Sequence, residues 1–350
     1  MMVEKFELKP GFFVSRIIKG GWQLSQGHSQ ETKEDPINSM FGFADKGITT
    51  FDCADIYTGV EVLIGKFLKA RKQRLGYHDD IQVLTKFVPD YDTLATITKA
   101  HVEKIIDRSL RRLGKERLDM VQFSWWSYDV PRYVETAHWL QEIQRVGKIN
   151  LLSGTNFNAH ATQQLVSAGI PLTTLQIQYS LLDQRPKKTL STVCAKSSIY
   201  FLCYGTVAGG FISERWLGVA EPQPPFENRS LIKYKLMIDE FGGWELFQLL
   251  LGVLKSIADK HHVSITNVAS RYILDRQQVA AVIIGAKTSD HLDENLRLFE
   301  FTLDHADTTA IKNVIQQHKG PSGDVFDIER IKEGPHGSIM RYNLNQQATD

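Results

Sequence analysis

The sequence predicts a (β/α)8 barrel of the TIM type, folded as one domain, and three features carry that expectation. Short β-type runs recur eight times along the 350 residues, amphipathic helical stretches separate them, and the first run is not followed by the glycine fingerprint of an open dinucleotide-binding sheet. A chain of this length with 42% hydrophobic and 23% charged residues can bury the core of one large barrel or of two mid-sized domains. No Gly/Ser linker or low-complexity stretch divides it before the tail, which argues for one domain.

The β-type runs fall at residues 16–19, 49–53, 82–87, 120–125, 150–155, 174–179, 200–204 and 279–284. Residues 97–113 place Ile97, Val102, Ile105, Ile106, Leu110 and Leu113 on one stripe, and residues 134–146 repeat the helical pattern. This alternation builds βα crossovers and parallel strands, which close into a barrel or, as spacing alone leaves open, form a doubly wound sheet. Gly20-Gly21-Trp22 does not make G-x-G-x-x-G, nor does any other stretch, so the barrel is favoured and a nucleotide must be held in another way. Two segments break the rhythm. Residues 208–243 carry Pro222, Pro224 and Pro225 with Trp216 and Phe226, and read equally as a lid over a ligand or as a surface loop. A long helix begins near Trp244. The barrel is expected over 1–319, and the Gly- and charge-rich tail 320–350 is expected to be partly ordered or to fold back over the barrel mouth.

The 41 basic and 40 acidic side chains are mixed along the chain and leave a net charge of +1, which argues against nucleic acid or an anionic membrane as partner. No apolar run approaches a membrane span and the first ten residues lack a signal-peptide pattern, so a cytoplasmic protein acting on a small molecule is expected. Cys53, Cys194 and Cys203 lack metal-ligand spacing and read as reduced core thiols. His261-His262 has no third partner at metal spacing, and no metal is expected. The oligomeric state is not legible.

Asp52 and Tyr57 flank the end of the second run and Lys86 lies near the end of the third. In a barrel these neighbouring ends bring a carboxylate, an ammonium and a phenol together, a set suited to proton donation by Tyr57. Lys86 is expected to lower the Tyr57 pKa, and Asp52 to keep Lys86 charged. A structural buried pair is the plainer alternative on residue types alone.

These residues carry a resemblance. Phe51-Asp52-Cys53-Ala54-Asp55-Ile56-Tyr57, Leu84-Thr85-Lys86, Leu118-Asp119-Met120-Val121-Gln122-Phe123, Gly147-Lys148-Ile149, Gly154-Thr155-Asn156-Phe157 and Leu175-Gln176-Ile177-Gln178-Tyr179 together resemble the aldo-keto reductase family over residues 10–300. The resemblance implies catalytic roles for Asp52, Tyr57 and Lys86, and places Ser124 where the family has its catalytic histidine. Serine is shorter and does not ionise near neutrality; it is read as lining the pocket or bonding to substrate. The resemblance also implies that Thr155, Asn156 and Gln176 hold the nicotinamide carboxamide and that Tyr204 stacks on its ring, with Gly21, Trp22 and Gly205 near the cofactor.

After the last strand, Lys287 and Thr288 are read as a site for the adenosine 2′-phosphate, and Glu294 and Asn295 as a site for the adenine amino group. A helix capped by Thr288 or Ser289 explains the same residues. His291 stands where the resemblance implies arginine, so NADP(H) is expected over NAD(H) with a weakened preference. Trp22, Trp125, Trp126, Tyr128 and Trp216 suggest an aromatic substrate pocket, with core packing as the alternative. The resulting expectation is reduction of a ketone, aldehyde or enone on a bulky apolar molecule, in specialised (secondary) metabolism. A cofactor-binding regulatory protein and a non-redox isomerase, cyclase or dehydratase are the alternatives.

Overall fold

Two strands that the sequence pattern does not single out come first. In the computed structural model, which describes residues 3–25, 34–77, 80–286 and 288–346, β1 (Lys5–Lys9) and β2 (Phe12–Ser15) form an antiparallel hairpin. Its Leu8 and Val14 pack on Ile18, Leu84, Met120 and Leu202, so the hairpin plugs the lower end of a barrel.

Eight parallel strands close that barrel into a ring: β3 (Ile17–Gly20), β4 (Thr50–Asp52), β5 (Gln82–Phe87), β6 (Leu118–Phe123), β7 (Ile149–Thr155), β8 (Leu172–Gln178), β9 (Tyr200–Tyr204) and β10 (Val279–Gly285), with β10 pairing back onto β3. Each expected run is a strand, displaced by no more than a few residues. Around them lie α1 (Pro36–Asp45), α2 (Val60–Leu75), α3 (Lys99–Leu113), α4 (Tyr133–Arg145), α5 (Ala159–Ser167) and α6 (Thr189–Lys196). They continue with α7 (Arg229–Phe241), α8 (Trp244–His261), α9 (Ile265–Leu274), α10 (Leu292–Leu296), α11 (His305–Ile315) and the short α12 (Asp327–Arg330). Local signals set their ends. Asp35 accepts from the N–H groups of Ile37 and Asn38 with Pro36 opening α1, and Thr98 caps α3, which stops at Gly114 with φ of 65°.

Side chains alternate across each strand. Ile18, Leu84, Met120 and Leu202 fill the barrel's interior, while Ile17, Phe51, Val83, Val121 and Phe123 face the helices. Cys53, Cys194 and Cys203 are free, buried thiols. Among the described residues no helix is long and apolar enough to cross a membrane.

The segment 208–243 differs from its expectation. Its second half is α7, thirteen residues long, capped by Asn228 and buried through Leu231, Tyr234, Met237, Ile238 and Phe241. Apolar side chains three and four residues apart outweigh the proline cluster, which sits before the cap.

The tail crosses the upper mouth of the barrel and is described to residue 346. Arg185, fully buried, lies 2.7 Å from Asp183 and 2.9 Å from Glu329, and burial of Arg185 is outweighed by these two carboxylates, which raise its pKa. Arg330 donates to the carbonyls of Asn156 (2.7 Å) and Trp125 (3.2 Å). Glu329→Gln removes one of two carboxylates from a buried guanidinium, and a loss of about 1–3 kcal/mol is expected, measurable as a lower urea midpoint together with faster proteolytic cutting of the tail.

Candidate active site

Strand alternation decides which side chains reach the barrel mouth. Asp52, Lys86, Gln122 and Gln176 all point inward at the upper ends of β4, β5, β6 and β8, one layer above Leu84 and Met120. Lys86 Nζ donates to both carboxylate oxygens of Asp52, at 2.8 and 2.7 Å, and to the carbonyl of Cys53 at 2.9 Å. Gln122 and Gln176 donate to Asp52 Oδ1 at 3.0 and 2.6 Å, and Gln176 also donates to Gln122 Oε1 at 3.0 Å. The carboxylate is therefore fully engaged, and the ammonium is directed toward Tyr57, whose ring centroid is 4.8 Å from Nζ. Trp22 packs against Tyr57, with ring centroids 5.0 Å apart.

Burial would lower the Lys86 pKa, but Asp52 and Tyr57 more than offset it and raise it to about 12. Lys86 is an ammonium at any working pH. For Tyr57 the outcome corrects the sequence expectation: burial raises its pKa, and the opposing field of Lys86 does not reverse the shift. The phenol stays protonated, which suits a donor.

These groups open into a cavity of about 490 Å³ whose walls include Trp22, Ser124, Trp126, Thr155, Asn156 and Gln176. Tyr204 and Gly205 also line it, and the Tyr204 hydroxyl donates to Asn156 Oδ1 at 2.9 Å. Gly20, the neighbour of Asp52 across β3 and β4, and Gly285 also line the cavity while Gly21 does not; Gly21 has a packing reason of its own. A Cβ there would stand 2.6 Å from the Asp52 carbonyl oxygen. Gly21→Ala is expected to cost about 1–3 kcal/mol and to displace Asp52, seen as a lower Tm and weaker turnover.

Three aromatic residues expected in the pocket lie elsewhere. Trp125 is 1% exposed, donates its indole N–H to the Val130 carbonyl, and packs on Phe123 and Tyr133. It follows Ser124 by one residue and so faces the helices. Tyr128 packs on Tyr133 and Phe157 beneath Arg330, 4.2 Å away. Trp216 packs on Phe211 and Trp244, outside the cavity.

The adenosine-side residues divide as well. Lys287 lies outside the described residues. Thr288 Oγ1 donates to Asp290 at 2.8 Å, and Glu294 accepts from Asn267 at 2.8 Å. Asn295 follows in α10, whose N-cap is His291, without a side-chain bond; neither Thr288 nor Ser289 caps it. None of Thr288, His291, Glu294 and Asn295 lines the cavity.

The motifs gave no role to Gln122, which lies two residues before Ser124 on the same face, and did not mark Arg229 and Lys233 of α7 or the tail residues Phe326, Met340 and Arg341, all at the cavity wall apart from Gln122. Alternation along β6 would have found Gln122; no local signal marks the others. Arg229, Lys233 and Arg341 make the rim cationic, and Asp52, already bound to Lys86, is the sole carboxylate among its described lining residues. Such a rim, with the positive-φ turn at Gly205, Gly209 and Gly210, fits the pyrophosphate of a dinucleotide. The amide nitrogen of Gln176 is spent on Asp52 and Gln122, which leaves its oxygen to accept from a carboxamide.

Asp55, two residues before Tyr57, ties this loop to the tail. It accepts from the N–H groups of Ile56 (2.9 Å) and Val88 (3.1 Å) and from Asn345 Nδ2 (3.0 Å). Burial and then Glu61 raise its pKa to about 7 from 3.8. A folded-state pKa above the unfolded one means that the group's stabilising share is complete below pH 3.8 and is lost as pH rises to about 7. Asp55→Asn is expected to flatten that decline, read as the urea midpoint against pH.

The sequence profile of the Aldo/keto reductase family matches residues 16–316. Flagellar radial spoke protein 5 of Chlamydomonas reinhardtii is 25% identical over 311 residues, covering 70% of this chain, and the chain spans 59% of that protein's length. The aldo-keto reductase YhdN of Bacillus subtilis is 24% identical over 324 residues, 89% of this chain and 94% of its own. The solved structure of a glycerol dehydrogenase from Gluconobacter oxydans superposes with a TM-score of 0.73 at 21% identity, over 90% of this chain and 96% of the other, and shares the fold. With the profile spanning all eight barrel strands, the chain belongs to the aldo/keto reductase family.

Proposed function

We propose that the protein is a nicotinamide-dinucleotide-dependent oxidoreductase that reduces an aldehyde, ketone or enone on a bulky, largely apolar small molecule, with Tyr57 as proton donor. The observation that supports this most is the Lys86 ammonium held between the Asp52 carboxylate at 2.7 Å and the Tyr57 ring at 4.8 Å, facing a cavity large enough for a small molecule beside a nicotinamide. The cofactor, when bound, supplies the hydride.

The chain's own residues do the rest. Tyr57 presents its O–H to the substrate oxygen and releases the proton as negative charge develops there; Lys86 then stabilises the phenolate through space, and Asp52 with Gln122 and Gln176 holds the ammonium in place. Thr155, Asn156 and the oxygen of Gln176 orient the carboxamide, and the Tyr204 face supports the ring. Arg229 and Lys233 offer positive charge for the pyrophosphate. The cofactor's phosphorylation state depends on the turn at Thr288 and Ser289, where side-chain donors are already given to carboxylates. Trp22, Trp126 and Met340 give the substrate an apolar surround. Ser124 lines the pocket with a hydroxyl that does not ionise near neutrality, which leaves the proton to Tyr57.

The test is nucleotide oxidation followed at 340 nm with a panel of aldehydes, ketones and enones at saturating cofactor. Substrate-dependent oxidation is the expected result. Nucleotide binding without turnover on any of the panel would instead favour a regulatory, cofactor-binding protein.

A further inference from the structure

In the turn after β10, which the sequence marks as a phosphate site, the described side-chain donors of Thr288 and Ser289 are filled from within the chain. Ser289 donates its backbone N–H to Glu34 Oε2 and its hydroxyl to Glu34 Oε1, each at 2.8 Å. That two-point clasp of a carboxylate uses two donors that a phosphate's oxygens could otherwise take. Thr288 gives its hydroxyl proton to Asp290. Because α10 is only five residues long, the donors that count here are the Ser289 N–H and hydroxyl rather than a helix end.

Lys19 lies beneath the same turn. Its Nζ donates to the carbonyls of Ala286 at 2.8 Å and Gly20 at 3.2 Å. Burial lowers its pKa to about 8, and the field of Glu34 opposes that drop. The cavity that Tyr57 lines is lined also by Gly285, the last residue of β10, one residue before Ala286. A dinucleotide with its nicotinamide beside Tyr57 that leaves the cavity past Gly285 brings its adenosine ribose toward the turn at Ser289 and so toward Glu34.

We infer that Glu34 selects the cofactor, accepting a hydrogen bond from a ribose 2′-hydroxyl and opposing a 2′-phosphate. The inference rests on the cofactor reading above and reverses the preference for NADP(H) that the sequence alone suggests. A 2′-hydroxyl has a proton to give to the Glu34 carboxylate. A 2′-phosphate in its dianionic form has none to give, meets Glu34 as a like charge, and finds both Ser289 donors taken. NADP(H) must displace Glu34 from Ser289, which NAD(H) need not do.

The test is titration of the full chain with NADH and with NADPH, read by quenching of tryptophan fluorescence, since Trp22 and Trp126 line the cavity. The same titrations are made on Glu34→Ala. The ratio Kd(NADPH)/Kd(NADH) is expected to fall by about tenfold or more in the variant, equivalent to about 1.4 kcal/mol. Both nucleotides binding with a smaller change in that ratio would overturn the selection and leave the cofactor reading intact. Binding of neither nucleotide to the wild-type chain would overturn both. Should Glu34→Ala fail to fold by circular dichroism, the near-isosteric Glu34→Gln is judged by the same ratio.

Discussion

Replacing Tyr57 by phenylalanine is expected to lower kcat for carbonyl reduction by about 10²- to 10⁴-fold, the range that a positioned general acid supplies, with little change in nucleotide affinity. Phenylalanine keeps the ring that packs on Trp22 and faces Lys86, so the pocket's shape and the cation–π contact survive. What is lost is the one O–H at this place. The ammonium of Lys86 is not a substitute acid, because it donates to Asp52 and to the Cys53 carbonyl and its pKa stands at about 12. The wild-type enzyme should also show no alkaline loss of reduction rate near neutrality that is due to Tyr57, since burial moves its ionisation upward. A Tyr57→Phe protein that turns over at the wild-type rate in stopped-flow single turnovers would assign the proton to another group.

The same residues show what a sequence makes legible. Eight strands could be located because each pairs β-branched or aromatic side chains with a bounded length, and the helices between them carry apolar stripes. Asp52, Tyr57 and Lys86 could be grouped because neighbouring strand ends in a barrel meet at one mouth. The direction of the Tyr57 shift could not be read, because it is a contest between burial and a charge whose strengths depend on depth. Trp125 and Tyr128 escape the sequence pattern for a different reason: proximity to a strand end says nothing about face, whereas alternation from Met120 through Gln122 to Ser124 puts Trp125 on the helix side. Contacts made by distant segments leave no local pattern. The Arg185–Glu329 pair joins residues 144 apart and the clasp of Ser289 by Glu34 spans 255; the pattern around neither partner announces the other.

Lys86→Met separates the two roles of the ammonium, as modifier of Tyr57 and as partner of Asp52. It should reduce turnover to a degree comparable with Tyr57→Phe and, unlike that variant, destabilise the fold by about 3–5 kcal/mol. Methionine fills much of the lysine's volume, so the cost is electrostatic: Asp52, 4% exposed, keeps only the amide donors of Gln122 and Gln176. The double variant Asp52→Asn/Lys86→Met removes the stranded charge and should recover much of the urea midpoint while turnover stays low. Recovery of stability without recovery of turnover would mean that Lys86 acts on Tyr57 beyond holding the site together. A double variant no more stable than Lys86→Met would trace the loss to packing around the missing ammonium rather than to the charge left on Asp52.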